Sequence, residues 1–261
     1  MKRILIIILS ALSLSSPAFA AENISLCLNS NALPSDENSI HINNNTALIS
    51  VRYAAEIFGY NLEWNDSAKT AVLSKENQKL SFKSGYDFIV SNNNPTKLNG
   101  KAEIIDGRMF VPIRALAECL NLNVKWNGAA KNISLVESEK MLYEDNDEGI
   151  YILTPDGYIK DDFDIVKNEY EKYFVLNFFT PQNSQLLFSI MFFDADYWNN
   201  EVKDNFSAVY SRIYENGSSV VLCVNATDVQ YSIDNNEHKE KYNHLLKAKD
   251  EICGNIYFFT N

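Results

Sequence analysis

The sequence has 261 residues, 46% of them hydrophobic, which excludes a disordered or low-complexity chain and leaves room for one or two packed domains. It carries 23 basic and 34 acidic residues, for a formal net charge of −11. Nucleic acids and acidic lipid surfaces are bound mainly through Lys and Arg side chains. This charge balance therefore argues against both as partners.

The N-terminus has the pattern of a secretory signal peptide. Lys2 and Arg3 precede a short apolar run, and Ala18-Phe19-Ala20 has the small residues of a cleavage site. The run is too short to span a bilayer, so we expect residues 1–20 to be removed and the mature protein to have no transmembrane segment. No Cys follows the cleavage position, so a lipid anchor is not expected. These features predict a secreted or extracellular protein.

Charge and aromatic content change along the chain near residue 140. Residues 21–140 carry 12 basic and 13 acidic groups, whereas residues 141–261 carry 9 and 21 and hold 22 of the 32 aromatic residues. A step of this kind indicates a domain boundary. We therefore expect two domains, 21–140 and an acidic, aromatic-rich domain at 141–261.

An internal repeat occupies the first of these domains. A shift of 62 positions aligns residues 42–73 with residues 104–135, and ten of the 32 aligned positions are identical. Ser50 in the first copy and Pro112 in the second are residues suited to begin a helix. Gly59 and Asn121 are suited to end these helices, because both residue types accept the left-handed conformation. Alternating residues then predict a hairpin with its turn at the Asn shared by both copies, Asn65 and Asn127. Each unit is thus predicted to be a helix followed by a hairpin.

Three residue types recur in both copies and define the structural motif of the repeat. They are Arg52, Glu56 and Trp64 in the first copy and Arg114, Glu118 and Trp126 in the second. The Arg and Glu are four residues apart, so each helix is predicted to carry a surface ion pair of about 0.2–0.5 kcal/mol. The alternative is a ligand-binding Arg that is presented twice.

Several stretches resemble a known family. Residues 49–56 with 62–65, and 110–118 with 124–127, are similar to the copper amine oxidase N-terminal-like domain, often called a stalk domain. Asp106-Gly107-Arg108 also fits the turn of this family. The resemblance covers roughly residues 24–137 and implies a non-catalytic module that is common in secreted and surface proteins of Gram-positive bacteria.

Copper chemistry and amine oxidase activity are not expected. A copper site needs several converging imidazoles, and the chain has only His41, His238 and His244. The Asn-Tyr-Asp or Asn-Tyr-Glu tripeptide, at which the enzymes of this family form their quinone cofactor, does not occur. We predict no cofactor.

The second domain is predicted to be an antiparallel sheet packed by at least one helix, which makes the whole protein α+β. A helix is expected over 237–253, with His238, Tyr242, Leu245, Leu246 and Ile252 on its buried face. The expected strands are 149–154, 173–180, 185–193, 208–215, 218–224 and 256–259, with Asn216-Gly217 as a hairpin turn. The sequence leaves open whether Cys223 and Cys253 form a disulfide.

Candidate ligand-binding residues are few in this domain. Asp145, Asp147 and Glu148 are weak calcium candidates, because their loop lacks the Gly and the final Glu of an EF-hand. Tyr158, Tyr197 and Trp198 lie in predicted loops, where aromatic side chains beside carboxylates could form a face for sugar rings. The cysteines do not have the spacing of a metal site.

The sequence favours a secreted, non-enzymatic protein of the cell envelope, in which a stalk-like domain presents or spaces an acidic C-terminal domain. Its expected partner is a cell-wall glycan or another envelope protein. The alternative is a hydrolase of cell-wall polymers with a carboxylate site in 141–261, since paired carboxylates can do glycosidase chemistry. A third hypothesis is an inhibitor or sensor of another secreted protein.

Overall fold

The computed structural model describes residues 24–183, 185–215, 217–227 and 235–260. The predicted signal peptide and Asn216 of the predicted hairpin turn lie outside these ranges. Within them the protein is α+β and rich in sheet, with mostly antiparallel strands and few helices. No helix in the described part of the chain has both the length and the apolar character needed to cross a membrane.

Residues 24–140, the first half, contain three sheets and two helices. The sheets have the strand orders β12-β13-β1-β2, β10-β11-β4-β3 and β5-β6-β7-β8-β9. β1 pairs with β13 in parallel across more than 100 residues of sequence. The elements are β1 Ser25–Leu28, β2 Asn31–Leu33, β3 Ile40–Asn43, β4 Thr46–Ser50, α1 Val51–Phe58, β5 Asn61–Asn65, β6 Thr70–Lys75, β7 Gln78–Lys83, β8 Phe88–Ser91, β9 Asn94–Lys97, β10 Glu103–Ile105, β11 Arg108–Pro112, α2 Ile113–Cys119, β12 Leu122–Asn127 and β13 Asn132–Glu137.

Residues 141–260, the second half, contain a three-stranded sheet, β14-β15-β21, and a five-stranded sheet, β16-β17-β18-β20-β19. A short 3-10 turn over 138–140 joins the halves. The elements are β14 Met141–Asp145, β15 Ile150–Leu153, β16 Asp164–Glu169, β17 Tyr173–Phe179, β18 Leu186–Asp194, α3 Ala195–Tyr197, β19 Tyr210–Glu215, β20 Ser219–Asn225, α4 Asn236–Leu246, α5 Lys249–Gly254 and β21 Ile256–Phe258.

The helices of the first half begin and end at the residues that the sequence indicates. The Ser50 hydroxyl accepts the backbone N–H of Tyr53 at 3.5 Å and caps α1, which ends at Gly59 with φ +69°. α2 begins after Pro112, and Asn121 follows it with φ +56°. Each helix is followed by a hairpin, β5–β6 and β12–β13, and both hairpins close over a loop of the same length.

The strands that precede the two helices pair with each other. In the antiparallel pair β4–β11, Ser50 lies opposite Phe110 and Leu48 lies opposite Pro112. A shift of 62 positions converts each of these residue pairs into the other. The register of this strand pair is therefore symmetric with respect to the 62-residue shift.

The buried residues separate into two main cores. One contains side chains from Leu26 to Leu135, and the other contains side chains from Leu142 to Cys253. A third, smaller cluster joins the last strand of the first half to the sheet of the second half. Its members are Val136, Met141, Tyr151, Leu153 and Phe259.

The single helix predicted over 237–253 is wrong, because the chain forms two helices there. Ala248 is buried between α4 and α5, and the backbone N–H groups of Lys247 and Ala248 bond back only three residues, to His244 and Leu245. This tightening ends α4 and redirects the chain. Tyr242, Leu245 and Ile252 are buried as predicted, but His238 is exposed in the first turn of α4.

Gly149 precedes β15 at a point where the backbone of the C-terminal segment approaches closely. A Cβ at Gly149 would lie 2.5 Å from the carbonyl oxygen of Phe259, and φ is +65°. Gly157 has a similar φ of +84°, but a Cβ at Gly157 would have no neighbouring atom within 4 Å. The two glycines therefore differ mainly in this backbone contact.

We predict that Gly149→Ala lowers the free energy of unfolding by roughly 2–4 kcal/mol, because it adds a backbone collision to the left-handed conformation. Gly157→Ala is the matched control and should cost about 1–2 kcal/mol, for the conformation alone. Urea denaturation monitored by circular dichroism measures both. Equal losses in the two variants would show that the contact with Phe259 places no constraint on the fold.

Candidate functional site

The two halves are connected by a set of contacts that we call the joint, formed between hairpin β12–β13 and residues 144–146 and 258–260. The backbone N–H of Thr260 donates to the carbonyl of Trp126 at 2.7 Å, and the Asn127 side chain donates to the carbonyl of Phe258 at 3.0 Å. The backbone N–H of Gly128 also donates to the Thr260 hydroxyl at 3.3 Å. The end of the chain thus lies along the outer edge of β12.

Lys125 is the central charged residue of the joint and is buried. Its ammonium group forms an ion pair with Glu144, bonds to the side chain of Asn146 at 3.2 Å and lies 4.2 Å from the centre of the Phe259 ring. All three partners belong to the second half. Burial together with these contacts makes Lys125 a specific connector between the two halves.

The equivalent strand of the first copy, β5, has no such cover within the described chain. β5 is the edge of its sheet, and Trp64 is 45% exposed, whereas Trp126 on β12 is partly buried. Trp64 lines a cavity of about 280 Å³, which we call the Trp64 cleft. Its other lining residues come from hairpin β5–β6, the end of β4, the start of α1 and hairpin β10–β11.

The predicted Arg–Glu ion pairs of the repeat are wrong. Within the described residues, no salt bridge joins Arg52 to Glu56 or Arg114 to Glu118. All four side chains are exposed, where such a pair gains little over hydration. Arg52 instead lines the Trp64 cleft.

A second cavity, of about 490 Å³, lies in the second half and combines carboxylates with aromatic rings; we call it the acidic cleft. Glu169, Glu171 and Asp194 contribute acidic groups, and Tyr170 is 54% exposed and stacks on Tyr173 with ring centres 4.4 Å apart. Phe258 of β21 also lines this cleft. The strand that ends in the joint therefore forms part of the cleft.

Lys167 holds together the acidic residues beside this cleft. Its ammonium lies 2.7 Å from Asp145, 3.3 Å from Glu148 and 2.6 Å from Glu169. Burial alone would raise the pKa of Asp145, but the hydrogen bond from Lys167, the backbone N–H of Glu148 and the positive charge of Lys167 together hold it below its usual value. Burial lowers the pKa of Lys167, but its acidic partners outweigh burial and raise it.

The calcium hypothesis for Asp145, Asp147 and Glu148 stays a prediction, but the structure gives Asp145 an internal cationic partner. Asp145 bonds to Lys167, and one of its oxygens also accepts the backbone N–H groups of residues 147 and 148. The ammonium of Lys167 thus supplies the positive charge that a metal ion would bring. In the described ranges, no group of three His, Cys, Asp or Glu side chains is arranged to hold a metal ion.

The predicted ligand face of Tyr158, Tyr197 and Trp198 is wrong. Trp198 is fully buried against Phe193 in a small core on one face of the five-stranded sheet, and Tyr197 packs against the same core. Tyr158 packs against the core on the other face, and its hydroxyl donates to the carbonyl of His244 at 2.9 Å. The three rings therefore do not form one surface.

All four cysteines are free thiols in the structure. Cys223 on β20 and Cys253 on α5 are buried in one core, and the hydrogen bond between their thiols lowers the pKa of Cys223 and raises that of Cys253. Lys249, one helical turn before Cys253, donates to the Asn225 side chain at 2.9 Å. The two contacts fix α5 against β20.

The charged residues of the joint and of the acidic cleft were not predicted from the sequence. These are Lys125, Lys167 and the carboxylates of the acidic cleft. One available signal was the departure of Lys125 from the repeat, since the aligned residue of the first copy is Glu63. The other was the spacing of Lys167 and Glu169, which lie on one face of a strand if 164–169 is extended.

A comparison with known protein families bears on the first half. Residues 27–135 match the family described as copper amine oxidase N-terminal domain, which confirms the predicted resemblance for this part of the chain. The matched region is not the catalytic domain of copper amine oxidases. No curated protein matches the chain.

The Asp145–Lys167 pair predicts a pH dependence of stability. Because the folded-state pKa of Asp145 is depressed, its contribution is present above the unfolded pKa near 3.8 and is lost as pH falls through the folded pKa. We expect Asp145→Asn to lose about 1–2 kcal/mol at pH 7 and to be less sensitive to acid than the wild type below about pH 4.

Urea midpoints measured between pH 2.5 and pH 7 test this expectation. Asp156→Asn is the matched control, because the Asp156 side chain is 94% exposed where it pairs with Lys140. An acid limb that is equally steep in Asp145→Asn and in the wild type would contradict the assigned role of Asp145.

Proposed function

We propose that this is a secreted, non-enzymatic protein of a bacterial cell envelope, in which the first half is a stalk-like spacer that presents the acidic second half to a partner. The observation that carries the proposal is the joint. A flexible linker would leave the halves independent, whereas here a buried ion pair, a set of hydrogen bonds and an apolar cluster connect them. This arrangement suits a spacer that holds one domain in a fixed orientation.

We further propose that the boundary between two domains lies at the 3-10 turn over 138–140, and that the first domain arose by duplication of one helix-plus-hairpin unit. Support for the boundary comes from the separate cores on either side of this turn. Support for the duplication comes from the ten identities at a shift of 62 and from the symmetric register of β4 and β11.

The acidic cleft is the proposed binding face. Glu169 and Glu171 line this cleft together with the stacked rings of Tyr170 and Tyr173. Carboxylates beside exposed ring faces favour positively charged groups, through ion pairing and through attraction to the aromatic ring. A cell-wall glycan with amino groups or a basic segment of another envelope protein would present such groups.

The hydrolase alternative rests on the same carboxylates and makes a different prediction. A catalytic pair would make one acidic residue indispensable for bond cleavage, whereas a binding face should lose affinity gradually over several substitutions. The sensor or inhibitor hypothesis predicts a protein ligand and no affinity for wall polymer.

We predict that the full chain from residue 21 sediments with insoluble Gram-positive cell-wall material and that the double variant Glu169→Gln/Glu171→Gln is retained at least threefold less. Removal of two carboxylates weakens the attraction to cationic groups without changing side-chain shape, although Glu169→Gln also removes one of the three carboxylates that pair with Lys167. The control is Glu63→Gln/Glu118→Gln, which removes two exposed carboxylates of the first half.

The supernatant of the same experiment is assayed for reducing sugar ends. Release of such ends that a single Asp or Glu substitution abolishes would establish the hydrolase instead. If the wild type does not sediment, or if both double variants are retained equally, the proposed binding face is wrong.

A further inference from the structure

The two copies of the hairpin differ in one respect that bears on a second binding surface. Residues 258–260 lie along the edge of β12, with the N–H of Thr260 on the carbonyl of Trp126. Trp126 lies opposite Ile133, and Trp64 lies opposite Ala71 at the same distance from its hairpin loop. In an antiparallel pair, identical register directs the Trp64 carbonyl and N–H away from β6, toward the open edge.

No segment of the described chain pairs with this outer edge of β5. The strand stands at the end of its sheet, and four of its five residues are exposed, whereas every residue of β12 is at least partly buried. An unpaired edge is a template for an added strand, because its backbone groups lack partners other than water. The C-terminal segment therefore covers this edge in the second copy, whereas the described chain leaves the same edge uncovered in the first copy.

The Trp64 cleft lies beside this edge and determines the chemistry of what can bind. Trp64 and Ile104 are 45% and 41% exposed, and they provide an apolar surface. Arg52 and Arg108 line the cleft without a salt bridge to any described residue, and Lys69 is paired with Asp66 at 2.8 Å. The cleft thus carries a net positive charge around an exposed indole.

We propose that the β5 edge and the Trp64 cleft form a docking site for an extended, acidic peptide segment of a partner protein, which adds a strand beside Trp64. Its backbone donates to the Trp64 carbonyl, as the N–H of Thr260 donates to the Trp126 carbonyl, and it also accepts the N–H of Trp64, which faces the same open edge. Its acidic side chains lie toward Arg52 and Arg108, and an apolar side chain covers the indole. This surface lies in the first half and is independent of the proposed binding role of the acidic cleft.

The binding test uses the full chain from residue 21 and a capped octapeptide, Thr-Glu-Thr-Phe-Thr-Glu-Thr-Glu. This peptide places its acidic and aromatic side chains on one face of an extended strand. The control peptide has Lys in place of each Glu. Calorimetry gives the affinity, and amide hydrogen exchange measured by NMR reports whether the N–H of Trp64 becomes protected.

The acidic peptide is expected to bind, to slow exchange of the Trp64 amide by at least tenfold, and to bind more weakly as salt rises from 50 to 500 mM. Arg52→Ala/Arg108→Ala should weaken binding at least fivefold, with each single variant intermediate. Arg114→Ala is the matched control, since Arg114 aligns with Arg52 but does not line the cleft, and it should change the affinity less than twofold.

Four results would overturn the proposal: no binding of the acidic peptide, binding that leaves the Trp64 amide unprotected, equal binding of the Lys peptide, or equal weakening by Arg114→Ala. Trigalacturonate is tested in parallel as an anionic sugar. If it shifts the Trp64 signals and the peptide does not, the cleft is a glycan site. Self-association that Arg52→Ala/Arg108→Ala abolishes would make a second copy of the chain the occupant.

Discussion

The last strand of the protein is fixed on two sides at once, and the relation between the two halves depends on this. β21 pairs with β15 within the second half, while the residues at its end bond to Trp126 and Asn127 of the first half. Displacement of the chain end would also expose the Phe259 ring and leave Lys125 with fewer partners. A few hydrogen bonds, most of them from or to side chains, and one buried cation thus connect two separately packed cores.

The same feature separates the roles of two related hairpins. In the second copy the hairpin edge is covered by the chain itself and serves as the joint, and its Gly128 leaves room for the Thr260 hydroxyl. In the first copy Asp66 stands at that position and accepts a bond from the Trp64 indole, and no described segment covers the edge. One local structure therefore provides both an internal contact and a surface for a partner.

Local signals in the sequence were sufficient for the helix boundaries at Ser50 and Gly59 and for the hairpins of the repeat, because caps and turns are determined by neighbouring residues. Long-range pairing was not predictable in this way, and the parallel contact of β1 with β13 has no local signature. Trp198 was misplaced because its segment was taken for an exposed loop, whereas its ring packs against Phe193, Phe206 and Tyr210 in a small core of its own. The break between α4 and α5 depends on burial of Ala248, which periodicity does not reveal.

The central claim, that the joint holds the halves in one orientation, is tested most directly by the distance distribution between two spin labels. Ser67→Cys and Asp161→Cys place exposed labels in the two halves, with Cys119→Ser removing the partly exposed native thiol. We predict one narrow distribution, which broadens when residues 259–261 are deleted. A distribution that is broad in the intact chain and unchanged by the deletion would contradict the account.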